Sequence, residues 1–225
     1  MDTTVRVAAG GSATAPALDG IATVLFDLDE TLIGSRVAWL GRVLALLHDR
    51  GPDQEDHREG ATRSTPRPFL VVLSNWTQRV VAWCDGRLQR GVTLAPEVQG
   101  VLHALDQAGL PYGIVTNGQA RKRHTLRLLG LEDRAAAIVI SGDRGRRKPD
   151  ATMFTRAAAE LGVRPDAVLF VGDKLQQDIQ GARSAGMKTA WLRRGHPQRF
   201  DRRMAPDLVL ASISDLPAAL GLPPD

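Results

Sequence analysis

Short apolar runs alternate with longer stretches of helical spacing through most of this chain, and that alternation limits the folds open to it more than any other feature. The runs IATVLF (21–26), YGIVT (112–116), AAIVI (136–140), AVLFVG (167–172), MKTAWL (187–192) and DLVLA (207–211) have the length and β-branched content of buried strands. Between them lie PEVQGVLHALDQAG, GQARKRHTLRLLG, DATMFTRAAAELG, LQQDIQGARSAG and the terminal SISDLPAALG, all with helical spacing. Gly109, Gly130, Gly162 and Gly186 close four of these stretches, as helix C-caps commonly do. Strand and helix in turn, with short connections, predict an α/β fold: a parallel sheet with helices on both faces and right-handed crossovers. Such sheets bind ligands at the carboxyl ends of their strands, so chemistry is expected there.

Residues 33–95 break the alternation. RVAWLGRVLALLHDR (36–50) and FLVVLSNWTQRVVAWCDGRLQR (69–90) carry apolar residues at helical spacing and flank a polar stretch, GPDQEDHREGATRSTPRP. They predict a small helical cap inserted after the first strand, over the carboxyl edge. Residues 1–19, rich in Gly, Ala, Ser and Thr, read as a flexible leader, which leaves residues 20–32 and 96–225 as the core domain.

With 43% apolar residues among 225, the chain can bury one substantial core. No apolar run approaches the roughly 20 residues of a membrane span, and the first residues lack the compact apolar segment of a secretory signal. A soluble, cytoplasmic protein with no membrane partner is expected, as a monomer or homodimer. The lone cysteine, Cys84, cannot form an internal disulfide and is expected to pack. The net charge is +4, but the basic residues fall in scattered groups: Arg121-Lys122-Arg123, Arg144 with Arg146-Arg147-Lys148, Arg193-Arg194 and Arg202-Arg203. No aromatic residues interleave with them, so most read as solvated faces and no nucleic-acid partner is expected.

Four fragments fall at successive strand ends: DLDET (27–31), TNG (116–118), Lys148-Pro149 and GDKLQQD (172–178). Each alone has a structural explanation as a turn, a helix start or an N-cap. Together they converge on the edge where an open α/β sheet binds its ligand. Asp27, Asp29, Asp173 and Asp178 would gather negative charge that a phosphate dianion could not approach unaided. A divalent cation removes that repulsion, and Mg2+ suits oxygen-only ligands. Lys148 supplies a fixed positive charge, and Thr116 with the backbone amide of Asn117 can donate hydrogen bonds to phosphoryl oxygens. With no histidine or serine suitably placed, a carboxylate is the natural nucleophile, giving an aspartyl-phosphate that water hydrolyses.

In this order the four fragments resemble motifs one to four of the haloacid dehalogenase (HAD) superfamily. The likeness extends to VGDKLQQDIQGARSAGMKTAWLRRG and PDLVLASISDLPAAL, which are similar to the closing segments of the subgroup with a helical cap between motifs one and two, the phosphoglycolate phosphatase and nucleotidase type. The resemblance implies a Rossmann-like three-layer core. It also implies that Asp27 attacks phosphorus and binds the metal, and that Asp29 serves as general acid and base while its backbone carbonyl reaches the metal. Thr116 and Lys148 would hold the phosphoryl group. Asp173 would bind Mg2+, with Asp178 doing so directly, through water, or by orienting Lys148. Members that cleave carbon–halogen bonds lack an acid at the position of Asp29, so its presence implies a phosphoric monoester hydrolase acting on a small phosphorylated metabolite. A phosphomutase like β-phosphoglucomutase shares every core residue and is the alternative; a non-catalytic binding module would have no need of all six. The chain departs from the pattern at Lys174, read as pointing outward, and in the polar cap segment 51–68.

Overall fold

A computed structural model describes residues 6–8, 18–34, 94–120, 122–143, 145–194 and 205–223. The chain divides into two units, residues 1–35 with 94–225 and residues 36–93. The first is described here. The expected helical cap (33–95), with its polar segment and Cys84, lies outside the described residues except at its ends.

Among the described residues, seven parallel strands form one sheet: β1 (Arg6–Ala8), β2 (Thr23–Phe26), β3 (Tyr112–Thr116), β4 (Ala137–Ile140), β5 (Val168–Gly172), β6 (Lys188–Leu192) and β7 (Leu208–Leu210). Their order is β1-β7-β6-β5-β2-β3-β4. The six strands expected from the apolar runs are present, each trimmed by at most two residues. The seventh falls within the leader expected over residues 1–19, of which residues 6–8, 18 and 19 are described. Arg6–Ala8 extends the sheet edge by pairing with β7, Val7 opposite Val209, because an edge strand offers unpaired backbone groups to any segment able to extend.

Every residue of β2, β3 and β5 is buried, as expected of parallel strands covered on both faces. Leu25, Val115, Val139, Phe154 and Phe170 meet in one core cluster, and the Phe154 and Phe170 rings pack edge to face at 4.9 Å. Leu175, Ile179, Trp191 and Val209 form a second. Gly113 on β3 allows tight packing, since a β-carbon there would stand 2.8 Å from Leu25 Cδ2 and 2.9 Å from the Ala137 carbonyl oxygen.

The connections are helices α1 (Pro96–Gln107), α2 (Lys122–Leu128), α3 (Ala151–Glu160), α4 (Gln180–Ser184) and α5 (Leu216–Ala219). Gly109, Gly130, Gly162 and Gly186 have φ of 63°, 66°, 67° and 83°, the left-handed conformation that ends a helix. Asp150 caps α3 by accepting from the Thr152 amide at 3.0 Å. The stretch LQQDIQGARSAG, expected as one helix, opens instead with a π-helical turn, Leu175–Ile179, before α4 begins. Such turns are rare and frequent at functional sites, and this one carries Asp178.

Candidate active site

The sheet order reverses around β2, which pairs with β5 on one side and β3 on the other. That switch point opens a crevice at the carboxyl edge. Asp27 follows β2, Thr116 ends β3 and Gly172 ends β5, so the order of strands alone brings three of the four fragments together.

Asp27 is anchored by its amide, which donates to the Val171 carbonyl at 2.9 Å, and its side chain is 6% exposed. Thr31 Oγ donates to Asp27 Oδ2 at 3.4 Å. Between Asp29 and Thr31 the chain turns sharply at Glu30, which has φ 65° and donates its amide to the Ile33 carbonyl at 2.7 Å. A left-handed glutamate is an uncommon, mildly strained conformation. Arg194, after β6, reaches across to donate to the Thr31 carbonyl at 3.1 Å.

Lys148 lies at the centre with its side chain 1% exposed. Its ammonium donates to Asp27 Oδ1 at 2.5 Å and to Asp178 Oδ1 at 2.6 Å. Burial works against its charge, but the Asp27 and Asp178 carboxylates outweigh it and hold the lysine above its ordinary value. Asn117 fixes the backbone of this lysine from both ends: the Lys148 amide donates to Asn117 Oδ1 at 2.8 Å, and Asn117 Nδ2 donates to the Lys148 carbonyl at 3.1 Å. Asn117 Nδ2 also reaches Gln177 Oε1 at 3.3 Å.

Asp178 Oδ2 accepts from the Lys174 amide at 3.0 Å. Burial pushes its carboxyl up to about 6 against the opposing pull of Lys148. Burial likewise raises the Asp173 carboxyl, against the nearby Lys174. The Trp191 indole donates to the Asp173 carbonyl at 2.9 Å and fixes the turn that carries it. Oxygens from Asp27, Asp173 and Asp178 lie within 4.8 Å of one another, an all-carboxylate donor set suited to a hard divalent cation.

Asp29 stands apart from that trio and forms an ion pair with Lys122, whose ammonium also donates to Thr116 Oγ at 3.0 Å. Lys122 belongs to the scattered basic groups, most of which read as solvated faces. Instead it bends back over Gly118, where a β-carbon would stand 2.5 Å from Lys122 Cδ. The Arg-Lys-Arg run gives no hint of this, because the glycine that admits the side chain lies four residues upstream. Lys174, expected to point outward, is exposed and also reaches the site. Its side chain is 44% exposed, yet the ammonium turns back to Asp173 Oδ1 at 3.2 Å.

Among the described residues, four carboxylates thus face three ammoniums across one crevice. Addition of a divalent cation leaves the site positive, which favours a phosphate dianion.

The sequence model of the haloacid dehalogenase-like hydrolases matches residues 24–192. The chain is 32% identical over 217 residues to a glyceraldehyde 3-phosphate phosphatase of Methanopyrus kandleri, covering 84% of this chain and 91% of that one. It is 34% identical over 240 residues to a phosphoglycolate phosphatase of Escherichia coli, covering 91% and 94%. Among solved structures, a HAD phosphatase from Thermococcus onnurineus aligns with a TM-score of 0.64 at 25% identity, over 89% of this chain and 98% of that one. The chain belongs to the haloacid dehalogenase-like hydrolases and is a phosphoric monoester hydrolase of that family.

Proposed function

We propose that the protein is a Mg2+-dependent phosphatase that hydrolyses a small phosphorylated metabolite, such as a sugar phosphate, phosphoglycolate or a nucleoside monophosphate, through an aspartyl-phosphate on Asp27. The observation that carries this reading is the buried bridge of Lys148 between Asp27 and Asp178, at 2.5 and 2.6 Å, with Asp173 beside it. A nucleophilic carboxylate, a fixed phosphoryl-binding cation and a metal-binding trio occupy one crevice.

Held by Asp27, Asp173 and Asp178 with the Asp29 backbone carbonyl, Mg2+ would offset the carboxylate charge and polarise a phosphoryl oxygen. Asp27 attacks phosphorus as the bond to the ester oxygen breaks. Asp29 gives its proton to that departing oxygen and later takes one from the water that hydrolyses the aspartyl-phosphate. Thr116 Oγ, the Asn117 amide and Lys148 hold the remaining phosphoryl oxygens. A cytoplasmic setting fits the lone cysteine, and no described helix is long and apolar enough to cross a membrane.

The test is phosphate release, with Mg2+, from a panel of sugar phosphates, 2-phosphoglycolate and nucleoside monophosphates. Release that stops with chelator and returns with Mg2+ is expected. Isomerised sugar phosphate without phosphate release would contradict hydrolysis and point to the mutase.

A further inference from the structure

We propose that Lys122 is a positioning residue for proton transfer, acting through Asp29 and Thr116 and not on the substrate itself. The proposal rests on the phosphatase reading and adds to it a residue outside the four motifs.

Three observations carry it. The Lys122 ammonium pairs with the Asp29 carboxylate, both side chains being largely shielded, at 19% and 24% exposure. It also donates to Thr116 Oγ at 3.0 Å. Finally, the absence of a β-carbon at Gly118 leaves the channel through which the lysine reaches them. One cation therefore ties the acid–base group to the phosphoryl-binding hydroxyl.

The chemistry follows from which atoms donate. A lysine ammonium only donates, so Thr116 Oγ is the acceptor in that bond and keeps its own hydrogen for a phosphoryl oxygen. Among the described residues its other partner is a long contact to the Asn117 carbonyl, at 3.5 Å. In the transfer step a bond forms between the Asp27 carboxylate and phosphorus while the ester P–O bond breaks. The electron pair leaves on the ester oxygen, and the proton passes to that oxygen from the Asp29 carboxyl. Asp29, protonated on entering the step, is left as the carboxylate that pairs with Lys122 in the structure, and Lys122 holds its direction and meets the charge that develops there. Water then attacks phosphorus as the bond to the Asp27 oxygen breaks, its electron pair restoring the Asp27 carboxylate; the water's proton returns to Asp29, and the Lys122 contact relaxes. A pairing that strengthens as Asp29 ionises assists the chemical step more than substrate binding.

The test compares the wild type with Lys122→Met, Lys122→Arg, Asp29→Asn and the Lys122→Met/Asp29→Asn double variant. The substrates, in single turnover with Mg2+, are p-nitrophenyl phosphate and an alkyl phosphate, 2-phosphoglycolate or ribose 5-phosphate. Lys122→Met is expected to slow transfer from the alkyl phosphate about 10- to 100-fold with little change in KM, and transfer from p-nitrophenyl phosphate less than about 3-fold, since its leaving group needs no proton. Lys122→Arg should recover part of the loss, and the double variant should be no slower than Asp29→Asn alone. Equal losses for both leaving groups, a rise confined to KM, or additive losses would overturn the proposal. Thermal melts of the same variants without substrate read the pair independently of activity: Tm shifts that fail to add are expected, and additive shifts would refute the pairing. A wild type inert toward every phosphomonoester, with coupled Tm shifts, would overturn the phosphatase reading and with it the proposed role, while the pair itself stands.

Discussion

A β-carbon on Gly172 would stand 2.6 Å from the Asp178 β-carbon and 2.7 Å from its Oδ2. The last residue of β5 must therefore be bare for the π-helical turn to bring Asp178 onto Lys148. Gly172→Ala should displace Asp178, weaken Mg2+ dependence at least about 10-fold in the concentration needed for half-maximal activity, and destabilise the fold by about 1–3 kcal/mol through overpacking. A Mg2+ titration beside a denaturant melt checks both.

Asn117 holds both backbone groups of Lys148. Asn117→Ala should leave that segment short of two partners and cost about 1–3 kcal/mol of stability. With the ammonium less fixed, KM for a phosphomonoester should rise and kcat fall together. Asn117→Ala with unchanged kinetics would remove the clamp from the account.

Much of this arrangement is legible in the sequence, and the illegible part has a physical reason. Six strands and the four capping glycines follow from apolar runs and local backbone preference, because buried parallel strands and helix ends write themselves into contiguous residues. Asp27, Thr116 and Gly172 reach one edge by strand order alone. Lys122 and Arg194 are not legible there, because each enters through a contact that no local pattern encodes: one passes over Gly118, the other reaches the Thr31 carbonyl from 163 residues away. The π-helical turn is illegible for the same reason. Its apolar spacing is that of a helix, and only Asp178, bonded back to the Lys174 amide, marks the departure. The edge strand Arg6–Ala8 was hidden in a Gly- and Ala-rich stretch whose composition suggests no order.

The raised Asp178 and Asp173 carboxyls make stability depend on pH and metal together. A carboxyl whose folded value lies above its unfolded one, near 4, stabilises the fold fully below that value and loses the contribution as pH rises through the folded value, about 6 for Asp178. The metal-free protein should therefore lose this contribution between about pH 4 and 7. Mg2+ must displace those protons at low pH and meets ionised ligands at higher pH. The rise in Tm on adding Mg2+ should be larger at pH 7.5 than at pH 5, and an equal rise at both would contradict the raised carboxyls.

The Tyr112 hydroxyl is buried with no hydrogen-bond partner among the described residues, while its ring packs edge to face on Phe26 at 6.2 Å. Tyr112→Phe removes the unsatisfied group and keeps the ring. Stability should be unchanged or rise by up to about 1 kcal/mol, as read by denaturant unfolding.

The central claim is that Asp27 carries the phosphoryl group, and the most direct measurement is acid quenching during turnover with Mg2+, followed by peptide mass spectrometry. The account predicts a phosphoryl group on the peptide containing Asp27, transient in the wild type and accumulating in Asp29→Asn, whose water has lost its base. Asp27→Asn should remain folded and carry none, with turnover at background. Substantial phosphate release by Asp27→Asn, or turnover with no phosphoryl group on Asp27, would contradict it.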